Sequence, residues 1–203
     1  MTRRLFIIRH GNTFGPGETP RRIGAGTDLP LVESGRTQAD RLGVHLADRK
    51  VAVARLFTSP LGRARETAAR IGAALGHEPD GTLPWLNEID HGPDEGLPEQ
   101  AVIDRVGAAA IAAWDSEAIP PPGWIVDADR RIAAWRDFFA RAPQNDTQGD
   151  TLLVTSNGAA RFALLAAGIA MTGLKLRTGA YGELAIASDG AVRLTAWDVR
   201  PPD

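Results

Sequence analysis

Leu5-Phe6-Ile7-Ile8, running directly into Arg9-His10-Gly11-Asn12-Thr13, is the stretch from which the rest of the chain is read. The four apolar residues read as a buried strand, and the polar five open a loop rich in glycine and proline. A histidine beside an arginine at a strand's carboxyl end combines a nucleophile with an anion binder. Imidazole can attack phosphorus, and a guanidinium pairs with two phosphate oxygens at once. Gly11 would let the backbone approach a bound anion. Taken alone, the tripeptide reads equally well as a histidine and an arginine on the surface.

The same layout recurs twice. Ala54-Arg55-Leu56-Phe57-Thr58 reads as a short strand leading into Ser59-Pro60-Leu61-Gly62-Arg63. Ser59 suits an N-cap and Pro60 a first helical position. Leu61, Ala64, Ala68, Ile71 and Leu75 then form one apolar helical face, which places Arg63 in the first turn. Gly76 and His77 suit the helix end. Thr151-Leu152-Leu153-Val154-Thr155 reads as another buried strand, followed by Ser156-Asn157-Gly158 and a helical run from Ala159 to about Met171. Ligands of open α/β sheets bind outside the carboxyl ends of the strands. If the three strands are parallel neighbours, Arg9, His10, Arg63 and Asn157 converge on one crevice. Arg63 as a solvated helix residue and Asn157-Gly158 as a simple turn are the alternatives.

Arg9-His10-Gly11 after an N-terminal strand, the stretches Gly24 to Ala39 and Thr58 to Ala68, and Leu86-Asn87-Glu88-Ile89-Asp90 follow one another in a recognisable order and spacing. In this the chain resembles the histidine phosphatases, the phosphoglycerate mutase-like superfamily. The resemblance implies an α/β fold: a three-layer α/β/α sandwich with a mostly parallel central sheet. It also implies a reaction without metal or cofactor, passing through a phosphohistidine on His10. Where the family pattern has a second catalytic histidine, in a Ser-His-Gly motif, this chain has Ser156-Asn157-Gly158. An asparagine keeps an amide donor for the transferring phosphoryl group but lacks the charge of a histidinium.

Three other histidines are present: His45, His77 and His91. His45 falls off the Ala39, Leu42, Gly43, Leu46 face of its helix and is expected in solvent. His77 reads as a helix-end residue, and His91, just past Glu88, is expected to line the pocket. Releasing an alcohol from a phosphate ester requires a proton for the leaving oxygen. Glu88, among Trp85, Leu86 and Ile89, is the expected acid, its pKa raised by burial. Asp90, Asp94 and Glu95 are neighbouring alternatives, and Asp94 and Glu95 read as solvated. Asn12 and Thr13 are expected either to add polar contacts to substrate or to shape the loop.

Residues from about Gly81 to Gln148 read as a helical insertion over the crevice, within a single domain spanning residues 1–203. This region holds four of the five tryptophans: Trp85, Trp114, Trp124 and Trp135. One helix is predicted from Pro98 to Glu117, with Val102, Val106, Ala109 and Ala113 on one face. A second is predicted from Asp127 to Arg141, with Ile132, Trp135 and Phe139 on one face, and Pro120-Pro121-Pro122-Gly123 turns between them. The chain closes with a hairpin, Glu183 to Ala187 and Val192 to Asp198 around Ser188-Asp189-Gly190, and a frayed Pro201-Pro202-Asp203.

A net charge of −2 provides no general attraction to nucleic acid or to anionic membranes. With no cysteine there is neither a disulfide framework nor a thiolate site, and the histidines lack zinc-ligand spacing. A strand beginning within a few residues of Met1 leaves no room for a signal peptide, and no apolar stretch is long enough to cross a bilayer. A cytoplasmic location is the expectation. Phosphate-cradling motifs of the P-loop and dinucleotide types are absent. The expected partner is a small phosphorylated substrate, hydrolysed at phosphorus. Two rival functions stay open: a protein that binds phosphate esters without turnover, and a phosphoryl transferase of the mutase kind.

Overall fold

The structure, a computed structural model, describes residues 2–142 and 148–201. Pro202 and Asp203 of the expected tail, and part of the expected insertion, lie outside the described residues. Six strands form one mixed sheet: β1 (Arg3–Arg9), β2 (Val53–Thr58), β3 (Gly81–Thr82), β4 (Asp150–Thr155), β5 (Tyr181–Ile186) and β6 (Val192–Val199). Their spatial order is β3-β2-β4-β1-β5-β6. β4 lies parallel between β2 and β1, so the three strands read from sequence are indeed parallel neighbours. The closing hairpin, β5 and β6, continues the sheet antiparallel beyond β1.

The alternation within β1 builds two cores. Phe6 and Ile8 face one side, where they join Leu152 and Val154 of β4 and the apolar faces of α1 (Glu33–Asp48) and α2 (Gly62–Leu75). Leu5 and Ile7 face the other side and meet α6 (Asn157–Ala166) and α5 (Ala128–Arg141) through Phe162, Trp135 and Phe139. Both faces of the sheet are therefore covered, as a largely parallel sheet requires. Trp114, Trp124 and Trp135 are buried in the second core, so these aromatics hold the layer together.

Local differences from the sequence expectations have identifiable causes. α2 begins at Gly62, because the Ser59 N–H is used by the Val154 carbonyl at 2.9 Å and stays with the sheet. Asp28 caps the helix in place of Ser59, both of its carboxylate oxygens accepting from the Gly62 N–H at 2.8 and 2.9 Å. The expected helix from Pro98 to Glu117 is two, α3 (Glu99–Val106) and α4 (Ala108–Glu117). They break at Gly107, whose φ of +85° is open to glycine. After the break Ile111 and Trp114 are the buried residues, while Ala109 is exposed. α6 starts at Asn157 and ends at Ala166, five residues short of Met171, and Asn157-Gly158 is its first turn rather than a loop.

Candidate active site

The carboxyl ends of β1 and β4 and the start of α6 enclose a cavity of about 540 Å³. Arg9, His10, Asn12, Thr13, Glu88, His91 and Asn157, all singled out from the sequence, line it. Arg63 is not among its lining residues but reaches His10. It is fully buried, and its Nη1 and Nη2 donate to the carbonyls of Thr27 and Gly24 at 2.5 and 3.1 Å. Its third donor, Nε–H, points at Nε2 of His10 across 3.2 Å.

That contact fixes the chemistry of His10. Its Nδ1 lies 2.8 Å from the Gly11 carbonyl, which can only accept, so Nδ1 carries the proton and Nε2 the free pair. Burial, then the charges of Arg63 and Arg9, hold the imidazole well below its ordinary pKa. His10 is therefore neutral at neutral pH, with its unprotonated nitrogen aimed at a guanidinium. Burial also draws Arg9 down to about 10, against the opposing charge of Glu88, which still leaves it cationic. Nη1 of Arg9 donates to the Leu176 carbonyl at 2.8 Å, while its Nε is buried without a partner.

The loop after His10 is shaped by the protein itself. A Cβ on Gly11 would sit 2.2 Å from the Gly35 carbonyl, so the close approach that glycine permits is to the first turn of α1, not to an anion. Asn12 lines the cavity and is also tied into the loop. Its N–H donates to Gln38, its side-chain NH₂ to Ser34, and its Oδ1 accepts from Thr178 at 2.5 Å. Asn157 accepts through Oδ1 from the Leu176 N–H at 2.8 Å, which identifies that atom as oxygen and leaves the NH₂ for the cavity.

Glu88 is buried as expected, but its pKa moves the opposite way. Desolvation pushes it up, yet His91, the N–H groups of Ile89 and Gly158 at 2.9 and 3.1 Å, and Arg63 together bring it below the ordinary carboxylate value. Gly158 is at the start of α6, where a helix favours an anion. The backbone of this segment is clamped by Arg131 of α5, which donates to the Asn87 and Glu88 carbonyls, and by Thr155, which donates to that of Leu86. Asp94, expected in solvent, is fully buried, paired with Arg105 and accepting from Trp124 Nε1 at 2.7 Å. Glu95 receives the Gly24 N–H at 2.7 Å. His45, also expected in solvent, is half-buried, with its Nε2 3.2 Å from the Tyr181 hydroxyl.

The cavity also holds a cationic rim that sequence reasoning missed: Arg21, Arg22, Lys175, Arg177 and Arg200. A signal was present in Lys175-Leu176-Arg177. Leu176 is buried while its neighbours on both sides reach the cavity, the period-two pattern of an extended segment. Arg21-Arg22 had no such pattern around it.

Fold and site together define an α/β protein whose strand-end crevice pairs a neutral histidine with buried guanidinium groups. The chain belongs to the Histidine phosphatase superfamily (branch 1), whose profile matches residues 5–193. Curated relatives include the 2,3-bisphosphoglycerate-dependent phosphoglycerate mutase of Mesorhizobium japonicum, 28% identical over 82% of both chains. That of Methylobacterium sp. (strain 4-46) is 31% identical over 88% of this chain and 89% of its own. Among solved structures, a mycobacterial glucosyl-3-phosphoglycerate phosphatase shares the fold with a TM-score of 0.77 at 24% identity, covering 98% of this chain and all of that one. Phosphoglycerate mutase from Bacillus anthracis str. Sterne has a TM-score of 0.80, also at 24% identity, covering 97% and 93%. The mycobacterial phosphatase has also been solved with inorganic phosphate. Members of the superfamily are phosphatases or mutases. Among the described residues, no helix is long and apolar enough to cross a membrane.

Proposed function

We propose that the chain is a phosphomonoester hydrolase working through a phosphohistidine on His10. The observation that carries this reading is the orientation of His10, with Nδ1 committed to Gly11 and Nε2 facing Arg63 at 3.2 Å. A phosphoryl group entering there meets the nucleophile head-on, and its oxygens take over the Arg63 donor. Arg9 and the NH₂ of Asn157 hold the same oxygens, matching the charge spread over equatorial oxygens in the transition state. Asn157 stands in the motif position where the family pattern has histidine, so this donor is neutral. Glu88 and its neighbour His91 provide the proton-exchanging corner for the leaving alcohol and the attacking water. The reaction needs no metal, and the site lies in the cytoplasm.

The names of the curated relatives favour a second reading, a phosphoryl transferase that returns the group to an acceptor. The cationic rim would suit a substrate carrying another anionic group under either reading. A protein that only binds phosphate esters needs neither an oriented nucleophile nor a proton-exchanging pair, so it is the weakest of the three. Phosphate release from p-nitrophenyl phosphate in EDTA, wild type beside His10→Ala, tests the proposal. Release that survives EDTA and vanishes in the variant is expected. Isomerised ester without free phosphate would favour the transferase, and vanadate binding without any turnover would favour the binder.

A further inference from the structure

The edge strand β6 ends at the site. Its Val199 is level with Tyr181 of β5, which pairs in turn with Ile8, two residues before His10. Just before that end the ladder is bulged: Tyr181 faces Val199 and Glu183 faces Ala196, so β6 uses three residues where β5 uses two. Bulges beside active sites re-aim side chains. Asp198, inside this one, has a φ of +57°, a left-handed conformation that persists in a non-glycine residue where its partners fix it. Those partners are on the segment 175–178. Asp198 Oδ1 accepts from the Arg177 N–H at 2.7 Å, and its Oδ2 from Arg177 Nε at 2.6 Å. Trp197 Nε1 donates to the Lys175 carbonyl at 3.2 Å, and Arg200 Nε to the Thr178 carbonyl at 3.0 Å. The same segment also holds the groups assigned to the phosphoryl oxygens: the Leu176 carbonyl accepts from Arg9, and the Leu176 N–H donates to Asn157. Segment 175–178 is thus a strap that sets the spacing between the end of β6 and the phosphoryl pocket.

The charges along the cavity are unequal. Six cationic side chains line it against three carboxylates, Glu88, Glu99 and Asp115. Arg9 adjoins His10, Arg22 pairs with Glu99 at 2.7 Å, and Arg177 pairs with Asp198. Among the described residues no carboxylate pairs with Lys175, Arg200 or Arg21, and Arg21 belongs to a separate loop that bridges to Pro98. Arg200 is fixed without being neutralised. Besides the Thr178 carbonyl, it donates from Nη2 to the Thr178 hydroxyl at 3.3 Å, and both acceptors are uncharged. That hydroxyl donates to Asn12, so Arg200 is tied to the loop that follows His10. It is also close enough to Arg9 for the two charges to act on each other. We propose that Arg200 and Lys175, held by the strap and the bulged end of β6, form a second anion subsite. Resting on the phosphatase reading above, this makes the preferred substrates phosphomonoesters whose alcohol carries a further carboxylate or phosphate group. A fixed guanidinium and an ammonium group suit either anion. Because one strap holds both ends, the distance between the two anions is selected as well as the charge.

Two measurements test this. The first compares hydrolysis of propyl phosphate, carboxyethyl phosphate and ethylene bisphosphate, which end the same short arm in a methyl, a carboxylate or a phosphate; a second set has a longer arm. In wild type at least one charged end, at one of the two lengths, should raise kcat/KM by about 10–100-fold over its neutral counterpart, chiefly through KM. Arg200→Gln combined with Lys175→Gln should remove that preference while changing propyl phosphate by less than about threefold. Arg200→Lys should restore part of it, since the charge returns without the planar fork. Whichever charged end gains identifies the class. No gain for either end, or a gain that survives the double variant, overturns the subsite. Loss of the preference in Arg21→Gln with the double variant unaffected would place the second anion on the other loop and overturn it equally. The second measurement needs no turnover: calorimetric binding of the same esters to His10→Ala should show the same preference and the same loss in the double variant. Phosphate release from propyl phosphate without any preference for charged ends contradicts the subsite alone. A binding preference with no release from any ester contradicts the phosphatase reading and leaves the subsite standing.

Discussion

Two cations lie against His10, and their effect can be read from a pH profile. Protonating Nε2 removes the nucleophile, so kcat/KM should fall as pH drops through the pKa of free His10. Burial, Arg63 and Arg9 all lower that value, so the acid limb should lie below the ordinary histidine range. Arg63→Met removes one cation and should move the limb to higher pH, whatever it does to the absolute rate. An unmoved limb would mean that Arg63 does not act on His10. Asn157 offers a second test. If its NH₂ donates to the phosphoryl group, Asn157→Ala should lower kcat by about 10²–10³-fold. Asn157→His should at least match wild type, since a neutral imidazole can accept from the Leu176 N–H through one nitrogen while the other donates to the phosphoryl group. At this scale the cavity residues at strand ends and helix starts were legible, because local pattern marks those places, whereas the cationic rim was not. The direction of the Glu88 shift was not. It depends on the N–H of Gly158, seventy residues away, which no local pattern reports.

Elements carry the next constraint. α6 reaches the site through Gly158, where a Cβ would fall 2.3 Å from Glu88 Oε1 and 2.9 Å from Ile89 Cγ1. Gly158→Ala should therefore leave the helix intact, since alanine favours it, yet displace the carboxylate. The expected outcome is unchanged circular dichroism with a loss of turnover for alkyl phosphates larger than for p-nitrophenyl phosphate. Full retention of both would show that Glu88 needs no fixed place. Every described strand but the short β3, together with α2 and α5, was predicted within a few residues, since period-two and helical patterns are intrinsic to them. The failures were at termini and breaks. Ser59 has the chemistry of a cap, but its N–H is claimed by β4 and Asp28 arrives from a distant loop to cap α2. Gly107 falls inside the stretch expected as one helix, and its positive φ marks the break.

Across the whole molecule, Asp94 is a buried carboxylate that links separate segments of the layer over the crevice. It joins Arg105 of α3, Trp124 and the loop that carries His91. Arg105 and the Trp124 N–H hold its pKa below the ordinary aspartate value despite burial. A lowered carboxylate contributes stability that is present above the unfolded pKa, about 3.9, and is lost as pH falls through the folded value. Wild-type Tm should accordingly drop more steeply below about pH 4 than that of Asp94→Asn, which should itself be about 1–3 kcal/mol less stable at neutral pH. Parallel slopes would remove Asp94 from the acid response. The two-faced core was readable from β1 alone, whereas the Arg105–Asp94–Trp124 contact joins three separate segments and leaves no periodic trace.

The most direct measurement is to quench the protein during turnover of p-nitrophenyl phosphate and map any phosphoryl group by mass spectrometry under alkaline conditions, which preserve phosphohistidine. An acid-labile phosphoryl group on His10, absent from His10→Ala, is the predicted result. Turnover with no adduct on His10, or an adduct on another residue, would contradict the account.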